Sequence, residues 1–143
     1  MERLNNKYIA LDVNLFIYLM EKSQIYFPPA KIIFEKIQKG QSFGVTSSLI
    51  YTEILSKPLQ EKNQLLADMY RVFLATFPNL KIKDVDKNVA IIAAELRAKH
   101  KLKTPDAIYI ASGIIEKADF FVTNDLRLKV VNEIEVITLD ELL

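Results

Sequence analysis

The sequence predicts an α/β fold in three layers, with helices on both faces of a central, mostly parallel five-stranded sheet. Two observations predict it. Short apolar runs alternate along the chain with stretches of helical period, and strands joined through helices imply right-handed crossovers between parallel neighbours. Half of the 143 residues are apolar and 26% are charged, the balance of a globular chain with one sizeable core.

The elements follow in order. Tyr8 to Leu11 reads as a short buried strand ending at Asp12, and Val13 to Met20 as an apolar helix. Pro28-Pro29 opens a helix over Ala30 to Gln38, with Ile32, Ile33, Phe34 and Ile37 inward, and Gly40 stops it. Ser42 to Thr46 is a weaker strand. Ser47 or Ser48 caps the next helix, which runs until Pro58. Residues 59–76 form a long amphipathic helix with Leu65, Leu66, Met69, Val72 and Phe73 as its apolar stripe. Leu80 to Val85 is a strand; Asp86 caps a helix over Lys87 to Lys99, and Thr104 caps one over Pro105 to Lys117. Phe120 to Thr123 and Glu135 to Thr138 complete the sheet.

Composition narrows the function. With 19 Lys and Arg against 18 Asp and Glu, the net charge is +1, so any footprint for nucleic acid must be local. Cysteine is absent, which excludes disulfides, thiolate metal sites and a cysteine nucleophile. The N-terminus, "MERLNNKYIALDVN", lacks the apolar core of a secretory signal, and no apolar run approaches the ~20 residues of a membrane span. No linker or repeat breaks the chain. The expectation is one cytoplasmic domain spanning residues 1–143, with no membrane partner.

Four acids stand at comparable places. Asp12 follows the first strand, Glu53 lies two turns into the helix after the second, Asp106 is in the first turn of a helix, and Asp125 follows the fourth strand. Each has an ordinary structural role open to it: a cap for Asp12, a turn for Asp125, a helix-dipole partner for Asp106, a solvated helix face for Glu53. Their conjunction points further. In parallel sheets, ligands bind beyond the carboxyl ends of the strands where the strand order reverses. If the first and fourth strands are neighbours across that reversal, Asp12 and Asp125 face each other in the crevice. Two like charges 4 Å apart repel by roughly 4 kcal/mol at an effective dielectric of 20, so clustered carboxylates imply a cation. Hard divalent ions take oxygen ligands, and Mg²⁺ or Mn²⁺ held by carboxylates suits phosphodiester chemistry.

The stretches "YIALDVNLFIYLM", "TSSLIYTEILSKP", "KTPDAIYIASG" and "FFVTNDLRL" resemble, in order and across nearly the whole chain, the four signature regions of the PIN domain family. The likeness is greatest to VapC-type ribonuclease toxins of toxin–antitoxin pairs. The resemblance implies a Rossmann-like sheet, Mg²⁺ or Mn²⁺ dependence, endonuclease action on RNA, a homodimer and a cognate antitoxin. Asp12, Glu53, Asp106 and Asp125 match the acidic quartet, and Asn14 and Thr123 the polar residues that support it. Asp12 sits in "DVN" where Asp-Thr-Asn or Asp-Ser-Asn is more familiar, so Val13 lacks a hydroxyl there. Asp12 and Asp106 would be the main direct ligands, Glu53 would complete the shell or orient a water, and Asp125 would hold a second or water-bridged ion.

Other residues have two readings each. "RAKHKLK" places Arg97, Lys99, Lys101 and Lys103 just before Asp106, where they satisfy a helix dipole or, with Arg127 and Lys129, grip phosphates. His100, the one histidine, reads as solvated rather than catalytic. Phe16, Tyr18, Ile25, Tyr26 and Phe27 serve the core or a dimer and antitoxin surface. Beside the ribonuclease stand two alternatives: a catalytically decayed module of the same fold that binds RNA or a partner, and a phosphoacceptor signalling domain. The second wants paired acids after the first strand, which Asp12 lacks.

Overall fold

In the computed structural model, which describes residues 1–143, five strands form one sheet: β1 (Tyr8–Leu11), β2 (Phe43–Ser47), β3 (Leu80–Lys83), β4 (Phe120–Thr123) and β5 (Glu135–Thr138). Their order is β3-β2-β1-β4-β5, and every neighbouring pair is parallel. The chain builds β1, β2 and β3 toward one edge and then returns to place β4 on the other side of β1. The strand order therefore reverses between β1 and β4, where Ala10 pairs with Phe121 and Leu11 with Val122. The expected α/β class and sheet are both present.

Helices α1 (Val13–Met20), α2 (Phe27–Gln38), α3 (Leu49–Gln60), α4 (Gln64–Thr76), α5 (Lys87–His100), α6 (Thr104–Ile115) and α7 (Leu139–Leu142) surround the sheet. Alternation along β1 divides them. Ala10 points at α6, where a Cβ on Gly113 would stand 2.6 Å from the Ala10 Cβ. Leu11 and Gly44 point the other way, toward Ile37 of α2. Ile9, Leu11, Phe16, Ile33, Ile37, Ile110 and Phe121 are among the fully buried side chains of a continuous apolar core. No helix is long and apolar enough to cross a membrane.

Several expected boundaries move, each for a local reason. α2 begins at Phe27 rather than Ala30, because Pro28 and Pro29 fall in the first turn, where no backbone donor is needed. α3 runs through Pro58 to Gln60; a proline so close to a helix end forfeits one hydrogen bond, and its ring is buried. The single long helix expected over 59–76 is thus the end of α3, a break with Lys62 at φ 56°, and α4, which Asn63 caps by accepting from Leu66 N at 3.1 Å. Thr104 is not the cap of α6: Lys103 holds that position without a side-chain bond, and Thr104 is the first helical residue. Asp86 does cap α5, and Gly40 ends α2 with φ 74°.

Two apolar expectations also change. Of the α4 stripe, Leu65, Met69 and Val72 are exposed, and the helix buries Ala67 and Leu74 instead. Ile32 is exposed on α2, whereas Phe16 is core, packed edge-on against Phe34 at 5.0 Å.

Candidate active site

Asp12 leaves β1 at the point where the strand order reverses, and its surroundings explain its shape. The backbone turns there into α1, and Asp12 Oδ1 caps that helix by accepting from Val13 N at 2.8 Å. Oδ2 accepts from Thr123 Oγ1 at 2.6 Å, across the gap to β4. The side chain is 3% exposed, and no Lys or Arg pairs with it. Burial pushes its pKa up from the ordinary 3.8 to about 6; the bonds from Thr123 and Val13 oppose this, and the Asp106 and Glu53 carboxylates add to it. Asp12 is therefore the helix cap expected of it, and it also feels the charge of Asp106 and Glu53.

Asp106 reaches the same place from α6. Its position in the first turn leaves it half-buried. Desolvation and then the charge of Asp125 raise its pKa, while Arg127 and Lys103 pull it down. Glu53 approaches from α3 and is exposed. Asp125 caps the 3₁₀ turn Leu126–Val130 and is gripped by Arg127: Oδ1 accepts from Arg127 N and Nε, each at 3.0 Å, and Oδ2 from Nη2 at 2.6 Å. That contact holds the Asp125 carboxyl below its ordinary pKa.

The strand neighbours are as expected, but Asp12 and Asp125 do not meet directly. Thr123 stands between them, donating to Asp12 and accepting from Asp125 N at 3.0 Å. Asn14 Nδ2 makes long contacts of 3.5 Å to Asp12 Oδ2 and Thr123 Oγ1. Asp12, Asp106 and Glu53 act on one another through their charge, and Asp125, neutralised by Arg127, acts on Asp106. No three acids stand together at metal-ligating spacing.

Two buried side-chain atoms in the whole molecule lack a hydrogen-bond partner, Asn14 Oδ1 and Tyr109 Oη. Both lie at this cluster: Asn14 is two residues from Asp12, and Tyr109 faces Glu53, Asp12 and Asp106. Sequence reasoning missed Tyr109. The signal was a lone tyrosine, one turn past Asp106 on an otherwise small and aliphatic helix, whose hydroxyl needs a partner when buried.

The basic candidates separate. Lys103 caps α6 and acts on both Asp106 and Asp125, and Arg127 holds Asp125. Arg97 instead donates through Nε to Leu102 O at 3.2 Å, closing the turn between α5 and α6. Lys99 turns to Glu133 Oε2 at 3.5 Å, and His100 Nε2 meets Glu133 Oε1 at 2.8 Å, so the histidine is paired rather than solvated. Lys101 is exposed, its backbone in the left-handed region at φ 57°. A groove of about 550 Å³ runs from Glu53 along α3 toward α1 and α4, with Ile17, Lys57, Asn63 and Tyr70 on its walls.

In chemical type, though not in spacing, the donor set suits a hard divalent cation. Every available ligand is oxygen, a buried carboxylate lacks a positive partner, and the orphaned Asn14 Oδ1 adds a neutral donor.

Comparison with known proteins places the chain. The family model for the PIN domain matches residues 9–134. No curated protein sequence matches the chain. Among solved structures, the fold is similar to a chain of VapBC2 from Rickettsia felis bound to a promoter DNA fragment, at 18% identity and a TM-score of 0.68, covering 92% of this chain and 97% of that one. A toxin–antitoxin complex from Klebsiella pneumoniae gives 21% identity and a TM-score of 0.68 over the same shares. The sarcin-ricin loop cleaving toxin VapC20 of Mycobacterium tuberculosis gives 14% identity and a TM-score of 0.67, over 89% of this chain and 98% of that one. With the family model covering nearly the whole chain, this protein belongs to the PIN domain family.

Proposed function

We propose that the protein is a metal-dependent endoribonuclease and the toxin of a toxin–antitoxin pair. The observation that carries this reading is Asp12: a buried carboxyl without a cationic partner, faced by Asp106 and Glu53 at the reversal of strand order. Such a site is costly unless a cation or a proton occupies it. Family membership and the toxin–antitoxin folds it resembles support the nuclease assignment.

Asp12 and Asp106 would hold Mg²⁺ or Mn²⁺, with Asn14 Oδ1 and Glu53 at the margin. Bringing Asp125 in takes its release from Arg127. When bound, the ion would supply an acidified water and neutralise charge developing on the phosphate. The chain's own residues do the rest. Thr123 and Val13 N fix the Asp12 carboxylate, α6 carries Asp106, and Glu53 would complete the shell or orient the attacking water. Arg127 and Lys103 offer their charge to the substrate backbone beside the acids. The exposed Leu65, Met69 and Val72 of α4, with Ile25, give a surface for an antitoxin or a second copy of the chain.

The test is calorimetric titration with Mn²⁺, together with cleavage of RNA and of DNA of matched sequence. Wild type is expected to bind Mn²⁺ and cut RNA, and Asp106→Asn to lose both while melting higher in EDTA. A protein whose melting temperature ignores millimolar Mn²⁺, and that Asp106→Asn leaves unchanged, contradicts the assignment.

A further inference from the structure

Tyr109 sits on α6 three residues after Asp106, so both side chains leave the same face of the helix. Its ring is core, 2% exposed, and its hydroxyl points out of the core into the acid cluster. Glu53 acts on that hydroxyl most strongly, from the margin of hydrogen-bonding range, with the charges of Asp12 and Asp106 acting more weakly, yet no hydrogen bond to it is formed. A buried hydroxyl without a partner is costly, and phenylalanine would fill the same space without that cost. Nothing in the packing requires the oxygen. Glu53, for its part, is an exposed side chain on α3 that no ion pair holds.

We propose that Tyr109 is a positioning residue for Glu53, donating its hydroxyl to the Glu53 carboxylate when the acid site is loaded. The proposal rests on reading that cluster as a metal-dependent nuclease site. A tyrosine O–H donates and a carboxylate oxygen accepts, so the polarity of the bond is fixed. The rigid partner is the buried one. α6 carries both Asp106 and Tyr109, so one anchored helix sets the direction of one acid directly and of a second through the hydroxyl. Partners of this kind, which orient the groups around a metal, typically contribute 10–100-fold to metal affinity or activity.

The experiment is a cycle of Tyr109→Phe, Glu53→Gln and the pair, read by Mn²⁺ calorimetry and by steady-state RNA cleavage. Tyr109→Phe keeps the ring and is expected to melt no lower than wild type in EDTA. Its Mn²⁺ affinity is expected to weaken about 10-fold and its kcat to fall 10–100-fold, with KM for RNA unchanged. In the Glu53→Gln background the same change is expected to do nothing further. Glu53→Asp, at an exposed position, withdraws the carboxylate from the hydroxyl and should reproduce the loss without a risk to folding. Wild-type Mn²⁺ affinity and kcat in Tyr109→Phe, or an equal loss in the Glu53→Gln background, overturns the role of Tyr109 and leaves the nuclease reading standing. Wild-type protein that binds no Mn²⁺ overturns both.

Discussion

Thr123 Oγ1 donates to Asp12 Oδ2 at 2.6 Å, joining two residues 111 positions apart in sequence across neighbouring parallel strands. The same oxygen accepts from Asp125 N, so one hydroxyl fixes the side chain of the first acid and the backbone of the last. Thr123→Val keeps the shape and removes both functions. Hydrogen bonds to ionised groups contribute about 1.5–3 kcal/mol, and a loss of about 1–2 kcal/mol is expected from urea unfolding at pH 8 in EDTA. The loss should shrink at pH 4, where Asp12 is protonated in the fold and needs the donor less. Thr123→Ser should retain most of the stability. An equal loss at both pH values would show that the hydroxyl does not serve the carboxylate.

The buried charge of Asp12 gives a pH signature of defined sign. Its folded pKa, about 6, lies above the ordinary 3.8, so between those values the folded state holds more protons than the unfolded one. Stability from this group is full below pH 3.8, declines as pH rises through that window, and is gone above about 6. Asp12→Asn removes the penalty. In EDTA it should match wild type near pH 4 and exceed it by about 1–3 kcal/mol at pH 7.5, the upper figure being the whole shift and the lower allowing for weakened bonds. Melting curves of the two proteins across this range decide the point. A constant difference between them would place the origin elsewhere.

Much of this was legible beforehand, for a physical reason. Buried strands and helix faces leave periodic apolar patterns, so the alternation of elements and the sheet could be read from runs such as "YIAL" and "FFVT". Asp12 and Asp125 stand where a short apolar strand stops and Asp106 where an apolar helix starts, and such junctions are visible in sequence. What depended on the partner of a side chain was not visible. Phe16 and Leu65 are equally apolar, yet one is core and the other exposed, because α4 meets the rest of the chain through Ala67, Leu74 and the half-buried Phe73. Arg97, Lys99 and Lys103 look alike in "RAKHKLK", but only the last caps α6 beside the acids. Tyr109 went unread, because a hydroxyl's lack of a partner exists only in three dimensions.

Arg127 occupies the Asp125 carboxylate on both oxygens and acts on Asp106 as well. Its charge therefore competes with a metal ion and assists a phosphate. Arg127→Gln is expected to strengthen Mn²⁺ binding severalfold, since Asp125 is freed and the local potential becomes more negative. The same variant should weaken RNA binding and lower the salt dependence of its affinity by about one ion. Calorimetry and filter binding at several salt concentrations measure the two effects separately. Parallel weakening of both would mean that Arg127 shapes the site rather than competing within it.

The placement of Asp106 depends on how closely α6 can lie on the sheet, and Gly113 sets that distance. A Cβ there would meet the Ala10 Cβ at 2.6 Å, and both atoms are rooted in backbone, so no side-chain rotation relieves the clash. Gly113→Ala must push α6 outward, and overpacking of this kind costs about 1–3 kcal/mol. Asp106 lies two turns along the same helix and should move with it, so Mn²⁺ affinity is expected to fall along with the urea midpoint. Ala10→Gly in the same chain returns the missing space and should recover most of both. If Gly113→Ala alone keeps wild-type stability, the close approach of α6 to β1 is not what aims the carboxylate.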